Sequence, residues 1–210
     1  MPVPLTAGSR LLFQGDSITA AGRAVDDELG LGHGYVSLIA ESLGRTGRDL
    51  EFLNRGVSGH RVRDLRARWG YDAVDLKPDL LSVMVGVNDT WRRFDSGDPT
   101  ATADYERDYR AILHAMRDAG GSTRLVLIEP FLVPVRAEQW AWREDLDARI
   151  HVVRRLASDF DTALLAADGV LNQAAREAGD PSLISEDGVH LTASGHARLA
   201  EAWLGLVQVV

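Results

Sequence analysis

Short apolar runs alternate along the chain with longer segments in which apolar residues recur every three or four positions. The apolar runs predict buried strands at 11–14, 50–53, 80–85, 125–128 and 163–167. The helical spacing predicts helices at 35–43, 61–68, 105–116, 146–160, 168–177 and 194–204, with Asp104 as a cap of the third. Because strands and helices alternate, we expect a parallel, doubly wound α/β sheet with right-handed crossovers. The length of 210 residues, without any dividing linker, predicts a single domain spanning 1–210.

The turns after the first three strands are rich in glycine and polar residues, and they contain Ser17, Gly59 and Asn88. Because the carboxyl ends of parallel strands meet at one edge of a sheet, we expect these three residues to converge. Acyl transfer needs a nucleophile beside hydrogen-bond donors for a developing oxyanion. We therefore predict that Ser17 is a nucleophile, and that the backbone N–H of Ser17, the backbone N–H of Gly59 and the Asn88 amide form an oxyanion hole.

A polar segment near the end of the chain offers the base that a serine nucleophile requires. His190 follows Asp187 by three residues, with Gly188 between them. Such a loop can fold so that the carboxylate accepts a hydrogen bond from one imidazole nitrogen and leaves the other for Ser17. The chain lacks the Gly-x-Ser-x-Gly elbow of α/β-hydrolases, so that class of serine hydrolase is not indicated.

Four blocks of the sequence resemble the SGNH/GDSL hydrolase superfamily in type, order and spacing: 15–17, 56–59, 86–89 and 187–190. Three longer segments are similar to its acetylxylan esterase-like branch of carbohydrate esterases: 13–19, 63–69 and 86–92. By this resemblance Ser17 is the nucleophile, His190 the base and Asp187 the residue that orients it. Gly59 and Asn88 carry over as oxyanion donors.

The resemblance also implies a fold and a reaction. The expected fold is a flavodoxin-like three-layer α/β/α sandwich with a five-stranded parallel sheet. The expected reaction is ester hydrolysis without a metal ion or an organic cofactor. Because one fold serves several ester hydrolases, the substrate is less closely specified. We expect a short acyl group, acetyl, on a carbohydrate such as a xylo-oligosaccharide, and the alternative is a lysophospholipase or thioesterase for longer acyl chains.

Four further residues are candidates for substrate binding: Asp16, His60, Trp91 and Tyr35. Asp16 is adjacent to the predicted nucleophile, and it equally fits a structural role in which it bonds loop backbone. His60 follows a predicted oxyanion donor. Trp91 belongs to a class of side chain that stacks on sugar rings, although an aromatic residue here equally suits the core or an interface. The neighbouring segment 92–93 is expected in a solvated loop.

Composition narrows the range of partners. The chain has 31 acidic and 23 basic residues, a net charge of −8, which argues against nucleic acid or an anionic membrane as partner. It has no cysteine, which excludes disulfides and thiolate metal sites, and no other metal-ligand spacing is evident. No secretory signal or membrane span is visible, so we expect a cytoplasmic protein. The sequence leaves homo-oligomer formation open.

Two non-hydrolase classes remain as alternatives. A carbohydrate-binding module without catalysis is disfavoured by the complete set of nucleophile, base and donors. A nucleotide-binding doubly wound domain is disfavoured because the first strand is not followed by Gly-x-Gly-x-x-Gly.

Overall fold

The computed structural model describes residues 2–210, and its strands and helices alternate as the sequence predicts. The strands are β1 (Val3–Leu5), β2 (Arg10–Gly15), β3 (Glu51–Asn54), β4 (Leu80–Met84), β5 (Arg124–Ile128), β6 (Ala163–Leu165) and β7 (Val207–Val209). The helices are α1 (Ser17–Ala20), α2 (Tyr35–Gly44), α3 (Val62–Trp69), α4 (Val87–Asp95), α5 (Thr102–Asp118), α6 (Arg143–Asp159), α7 (Ala167–Ala178) and α8 (Ala193–Leu204). A π-helical turn and two 3-10 turns complete the set: Gly70–Val74, Ala137–Trp142 and Pro181–Leu183.

The central sheet has five parallel strands in the order β3-β2-β4-β5-β6. Counted within this sheet, the order is 2-1-3-4-5, which is the flavodoxin-like arrangement and confirms the expected fold class. The chain reverses its direction of winding between β2 and β4. Open α/β sheets bind ligands at the carboxyl ends of the strands at such a switch point. The segments that follow β2 and β4 are therefore the first place to look for a site.

Two hydrophobic cores cover the two faces of this sheet. Successive side chains of a strand point to opposite faces, so Leu11 and Phe13 of β2 lie in one core and Leu12 lies in the other. Helices α2, α7 and α8 pack on the first face, and α3 and α5 pack on the second. The result is the three-layer sandwich expected from the sequence. None of the helices within residues 2–210 combines the length and apolar character needed to cross a membrane.

Three local features differ from the sequence prediction. β1 and β7 pair in parallel as a separate two-stranded sheet, which the sequence did not indicate because each strand is only three residues long. The segment 92–93 lies in α4 rather than in a loop; the buried polar residues at the start of α4 obscure its helical period. Asp104 lies in the first turn of α5, whose N-cap is Ala101, and so it is not the cap.

The start of α2 is held by a histidine from α8. The backbone N–H of Tyr35 donates to Nδ1 of His196 at 3.1 Å, and the two rings lie nearly parallel with centroids 6.5 Å apart. This bond supplies a partner for a helix N-terminus whose N-cap, Gly34, has no side chain to offer. Burial lowers the pKa of His196 to about 4, and the nearby His190 adds to the effect. A protonated Nδ1 cannot accept a hydrogen bond, so the contact requires neutral imidazole.

We predict that His196 makes the fold lose stability in mild acid. An unfolded histidine takes up a proton near pH 6.5, whereas folded His196 resists protonation until about pH 4. Stability therefore falls as the pH drops from 6.5 to 4, by on the order of 2 kcal/mol. His196→Asn keeps an acceptor near the position of Nδ1 and does not titrate, so its urea unfolding midpoint should change less between pH 7 and pH 4.5. The exposed His151→Asn is the matched control, and an equal acid loss in wild type and His196→Asn would contradict the prediction.

Candidate active site

Ser17 is the first residue of α1, and only Asp16 separates it from the end of strand β2. Asp16 caps this short helix, because its Oδ1 accepts a hydrogen bond from the backbone N–H of Ile18 at 3.0 Å. The sharp departure from the strand requires Gly15, since a Cβ there would collide with the Thr19 side chain and the carbonyl of Met84. The local sequence thus fixes both the hydroxyl and the backbone N–H of Ser17 at the edge of the sheet.

The structure brings Ser17, His190 and Asp187 together in one line. Oγ of Ser17 lies 3.0 Å from Nε2 of His190, and Nδ1 of His190 lies 2.7 Å from Oδ2 of Asp187. With Asp187 accepting from Nδ1–H, Nε2 is free to accept the hydroxyl proton of Ser17. Nucleophile, base and orienting carboxylate thus stand within hydrogen-bond reach of one another, as a serine triad requires.

The loop that carries Asp187 and His190 is folded around the carboxylate itself. Oδ1 of Asp187 accepts from the backbone N–H of Val189 at 2.9 Å and from that of His190 at 2.7 Å. Burial opposes ionisation of Asp187, but its hydrogen bonds from His190 and Val189 outweigh burial and hold the pKa at about 2. In turn, the hydrogen bond to Asp187 raises the pKa of His190 above its ordinary value, against the opposing effect of burial. The imidazole is therefore a stronger base than a free histidine.

Gly59 and Asn88 lie after β3 and β4, the two neighbours of β2 in the sheet. Gly59 has a φ of +79°, a left-handed conformation that favours glycine. The Asn88 side chain is buried, and its Nδ2 donates to the carbonyl of His60 at 3.2 Å. This bond uses one of the two amide hydrogens and fixes the orientation of the group. The second hydrogen makes no hydrogen bond within residues 2–210.

A network of buried hydrogen bonds that the sequence did not reveal ties these turns together. Oδ2 of Asp89 accepts from the backbone N–H of Val62 at 3.2 Å, linking α4 to α3. The fully buried Arg149 donates to the carbonyl of Asp89 at 3.2 Å and to that of Thr100 at 2.5 Å. Because these contacts join residues 27 to 60 positions apart, no local pattern in the sequence marks them. They hold the segment of Asn88 against the segment of Gly59.

Two buried carboxyl groups lie beside the site. Burial raises the pKa of Asp16 and of Asp89 to about 7 each. Each has one side-chain oxygen without a hydrogen-bond partner among residues 2–210. Within the same residues, no three histidine, aspartate or glutamate side chains are grouped so as to hold a metal ion. Burial thus favours the neutral form of both carboxyls.

Of the substrate-binding candidates, Trp91 borders the triad, and His60 lies beside Asn88. The Trp91 ring lies 5.8 Å from the His190 ring, and Trp142 packs against it at 5.8 Å on another side. The guanidinium carbon of Arg92 lies 5.7 Å from the Trp91 ring centroid. His60 is half-buried, and its Nδ1 accepts from Nε of Arg68 at 3.2 Å. Trp91 is also half-buried, so both keep surface that a ligand can reach.

The other two candidates, Tyr35 and Asp16, have almost no accessible surface. Tyr35 is 0% exposed, and its hydroxyl shares a hydrogen bond with Oγ1 of Thr19 at 3.0 Å. Asp16 is 1% exposed, and its Oδ1 accepts a hydrogen bond from the backbone of α1. A substrate cannot contact either side chain in this arrangement, so the prediction of substrate contact is corrected for both. Both side chains instead stabilise α1, Asp16 through Ile18 and Tyr35 through Thr19.

Comparison with known proteins identifies close relatives over nearly the whole chain. The sequence profile of the GDSL-like lipase/acylhydrolase family matches residues 13–198. A curated acetylxylan esterase of Geobacillus stearothermophilus is 33% identical over 206 residues, which cover 94% of this chain and 93% of the relative. The solved structure of Axe2, an acetylxylan esterase from the same organism, has a TM-score of 0.88 at 31% identity, with 99% of each chain covered.

A second solved relative comes from the metagenome of Lake Arreo in Spain. This α/β hydrolase enzyme, LAE5, has a TM-score of 0.87 at 31% identity, with 96% of each chain covered. Axe2 has also been solved as catalytic mutants in which a serine, a histidine or an aspartate is replaced by alanine. The same three residue types, as Ser17, His190 and Asp187, are connected by hydrogen bonds in the present structure.

We predict that Asp187→Asn lowers the pKa of His190. The raised pKa of His190 depends first on the hydrogen bond to the Asp187 carboxylate. In Asp187→Asn a neutral amide takes the place of that carboxylate, so the negative charge that favours the imidazolium is lost. Titration of the imidazole by nuclear magnetic resonance measures the change without any substrate. Glu186→Gln removes an exposed neighbouring charge that makes no hydrogen bond to the ring, and it should shift the pKa less. An unaltered His190 pKa in Asp187→Asn would show that the carboxylate does not govern this imidazole.

Proposed function

The chain belongs to the GDSL-like lipase/acylhydrolase family, and from that premise we propose that it removes acetyl groups from xylo-oligosaccharides. Family membership and the acetylxylan esterase relatives make it a hydrolase of carboxylic esters. The observation that carries the proposal is the unbroken line of contacts from Ser17 through His190 to Asp187, at 3.0 and 2.7 Å. The substrate class follows the relative Axe2, an acetyl-xylooligosaccharide esterase.

In the proposed mechanism, Oγ of Ser17 attacks the acetyl carbon while Nε2 of His190 takes up the hydroxyl proton. Asp187 stabilises the imidazolium that forms. The negative charge on the former carbonyl oxygen is stabilised by hydrogen bonds from the N–H groups of Ser17 and Gly59 and from the Asn88 amide. His190 then donates its proton to the leaving sugar oxygen, which breaks the ester bond. A water molecule attacks the acetyl-serine by the same steps and releases acetate.

The aromatic residues beside His190 support a sugar as the leaving group. The Trp91 ring lies 5.8 Å from the imidazole of His190, and the Trp142 ring packs against Trp91 at 5.8 Å. The half-buried indole offers apolar surface to the C–H groups of a pyranose ring, and Arg92, whose guanidinium lies over the indole, offers donors to sugar hydroxyls. In this role Trp91 places the acetylated hydroxyl next to both the base that protonates it and the nucleophile.

We predict that the chain releases acetate from acetylated xylo-oligosaccharides and cleaves nitrophenyl acetate faster than nitrophenyl octanoate. Ser17→Ala should lower kcat on both acetate esters by roughly 10⁴-fold or more, because the variant has no hydroxyl to form the acyl-enzyme. Acetate assay and a chain-length series of nitrophenyl esters measure both outcomes.

The matched control is Ser158→Ala, since Ser158 is an exposed serine of α6. It should retain full activity, and both variants should keep the wild-type unfolding midpoint. Maximal turnover of octanoate would contradict acetyl specificity and favour an enzyme for longer acyl chains. Binding of the acetylated sugar without acetate release would contradict hydrolysis of this substrate altogether.

We predict that Asn88→Ala lowers kcat by roughly 10²–10³-fold, the usual effect of removing one oxyanion donor, with a smaller change in KM. Asn88→Asp keeps the shape of the side chain but places carboxylate oxygens where the donor stood, so it should lose at least as much activity. Steady-state kinetics on nitrophenyl acetate distinguish the two constants. An unchanged kcat in folded Asn88→Ala would limit Asn88 to shaping the start of α4.

A further inference from the structure

The segment after β5 lies against the loop that carries Asp187 and His190. Its residues Phe131, Leu132 and Val133 are buried. The backbone N–H of Val133 donates to the carbonyl of Gly188 at 2.9 Å. On its other side, the same segment is fixed by α7, because Nδ2 of Asn172 donates to the carbonyl of Leu132 at 3.0 Å. A buried, well-anchored piece of chain therefore backs the catalytic loop.

Gln139, in the 3-10 turn Ala137–Trp142, extends this support with a side chain that is 0% exposed. Its Oε1 accepts from the backbone N–H groups of Val135 at 3.0 Å and Arg136 at 3.1 Å. Its Nε2 donates to the backbone carbonyl of Asp187 at 2.5 Å. Backbone N–H groups only donate and a carbonyl only accepts, so these partners allow one orientation of the amide. Every contact of the group thus depends on its having both an acceptor and a donor.

The loop is shaped to receive this side chain. Gly188 has a φ of +96°, and a Cβ at that position would meet the amide of Gln139. The carbonyl that Gln139 holds belongs to the residue whose carboxylate binds His190. The Asp187 carboxylate accepts hydrogen bonds from the backbone of Val189 and His190, so it has little freedom relative to its own backbone. A shift of the Asp187 carbonyl would therefore shift the carboxylate as well.

We propose that Gln139 is a positioning residue that holds Asp187 and, through it, the imidazole of His190 in line with Ser17. The role rests on the proposed esterase function only for its effect on turnover; its effect on His190 is a property of the folded protein. Gln139 touches no reacting atom. Its hydrogen bonds connect the segment after β5 to the loop that carries Asp187 and His190.

The test compares two uncharged variants with a matched control. Gln139→Met keeps the volume but removes all three hydrogen bonds, and Gln139→Asn keeps the polar atoms but is too short to reach both sets of partners. Asn172→Ala removes a hydrogen bond to the same segment without touching the Asp187 loop. Each protein is studied by titration of His190 in nuclear magnetic resonance and by steady-state kinetics on nitrophenyl acetate.

We expect both Gln139 variants to lower the pKa of His190 toward its ordinary value and to lower kcat roughly tenfold, with KM within about twofold. The acid limb of the kcat/KM profile should shift to lower pH by the same amount as the titration. Asn172→Ala should leave the His190 titration unchanged. An unchanged titration in a folded Gln139 variant, or an equal shift in Asn172→Ala, would overturn the proposal. If the wild type hydrolyses no acetyl ester, the proposed function fails, and the titration alone still decides the role of Gln139.

Discussion

The site depends on the register that sets the carboxyl ends of β2, β3 and β4 side by side. Phe13 of β2 is paired with Asn54, the last residue of β3, and Gly15 is paired with Met84, the last residue of β4. The three following turns then open at one edge with Ser17, Gly59 and Asn88. A slip by one residue would turn every side chain of β2 to the opposite face. The same packing that buries the core therefore positions Ser17 at the sheet edge that also carries the proposed oxyanion donors.

The base is held in a different way. His190 lies on a loop between α7 and α8 rather than at the end of a sheet strand. The loop is closed by an isolated antiparallel bridge between Ser185 and Leu191, and the Ser185 hydroxyl donates to the carbonyl of His190 at 2.9 Å. Its position relative to the sheet comes from Val133 and Gln139. One half of the site is thus specified by sheet register and the other half by a few buried hydrogen bonds.

This division explains what the sequence could predict. The strands of the central sheet follow from local apolar runs. Ser17 and Asn88 come just after two of these runs, so their place at the sheet edge could be predicted from the pattern alone. Gln139 carries no such signal, because its partner Asp187 lies 48 residues away in the sequence. Tyr35 shows the opposite error, because this candidate for substrate contact is fully buried in the core. Burial and long-range pairing are properties of the folded chain.

The protonation of the site is a shared property of several groups. Asp16 has a pKa of about 7, and its negative charge when ionised favours protonated His190. An ionised Asp16 would stabilise the imidazolium of the proposed mechanism but oppose the nearby oxyanion. Burial favours the neutral form of Asp16 and so limits the negative charge beside the imidazole and the oxyanion. The pKa of His190 therefore depends on the charge of Asp16 as well as on the hydrogen bond to Asp187.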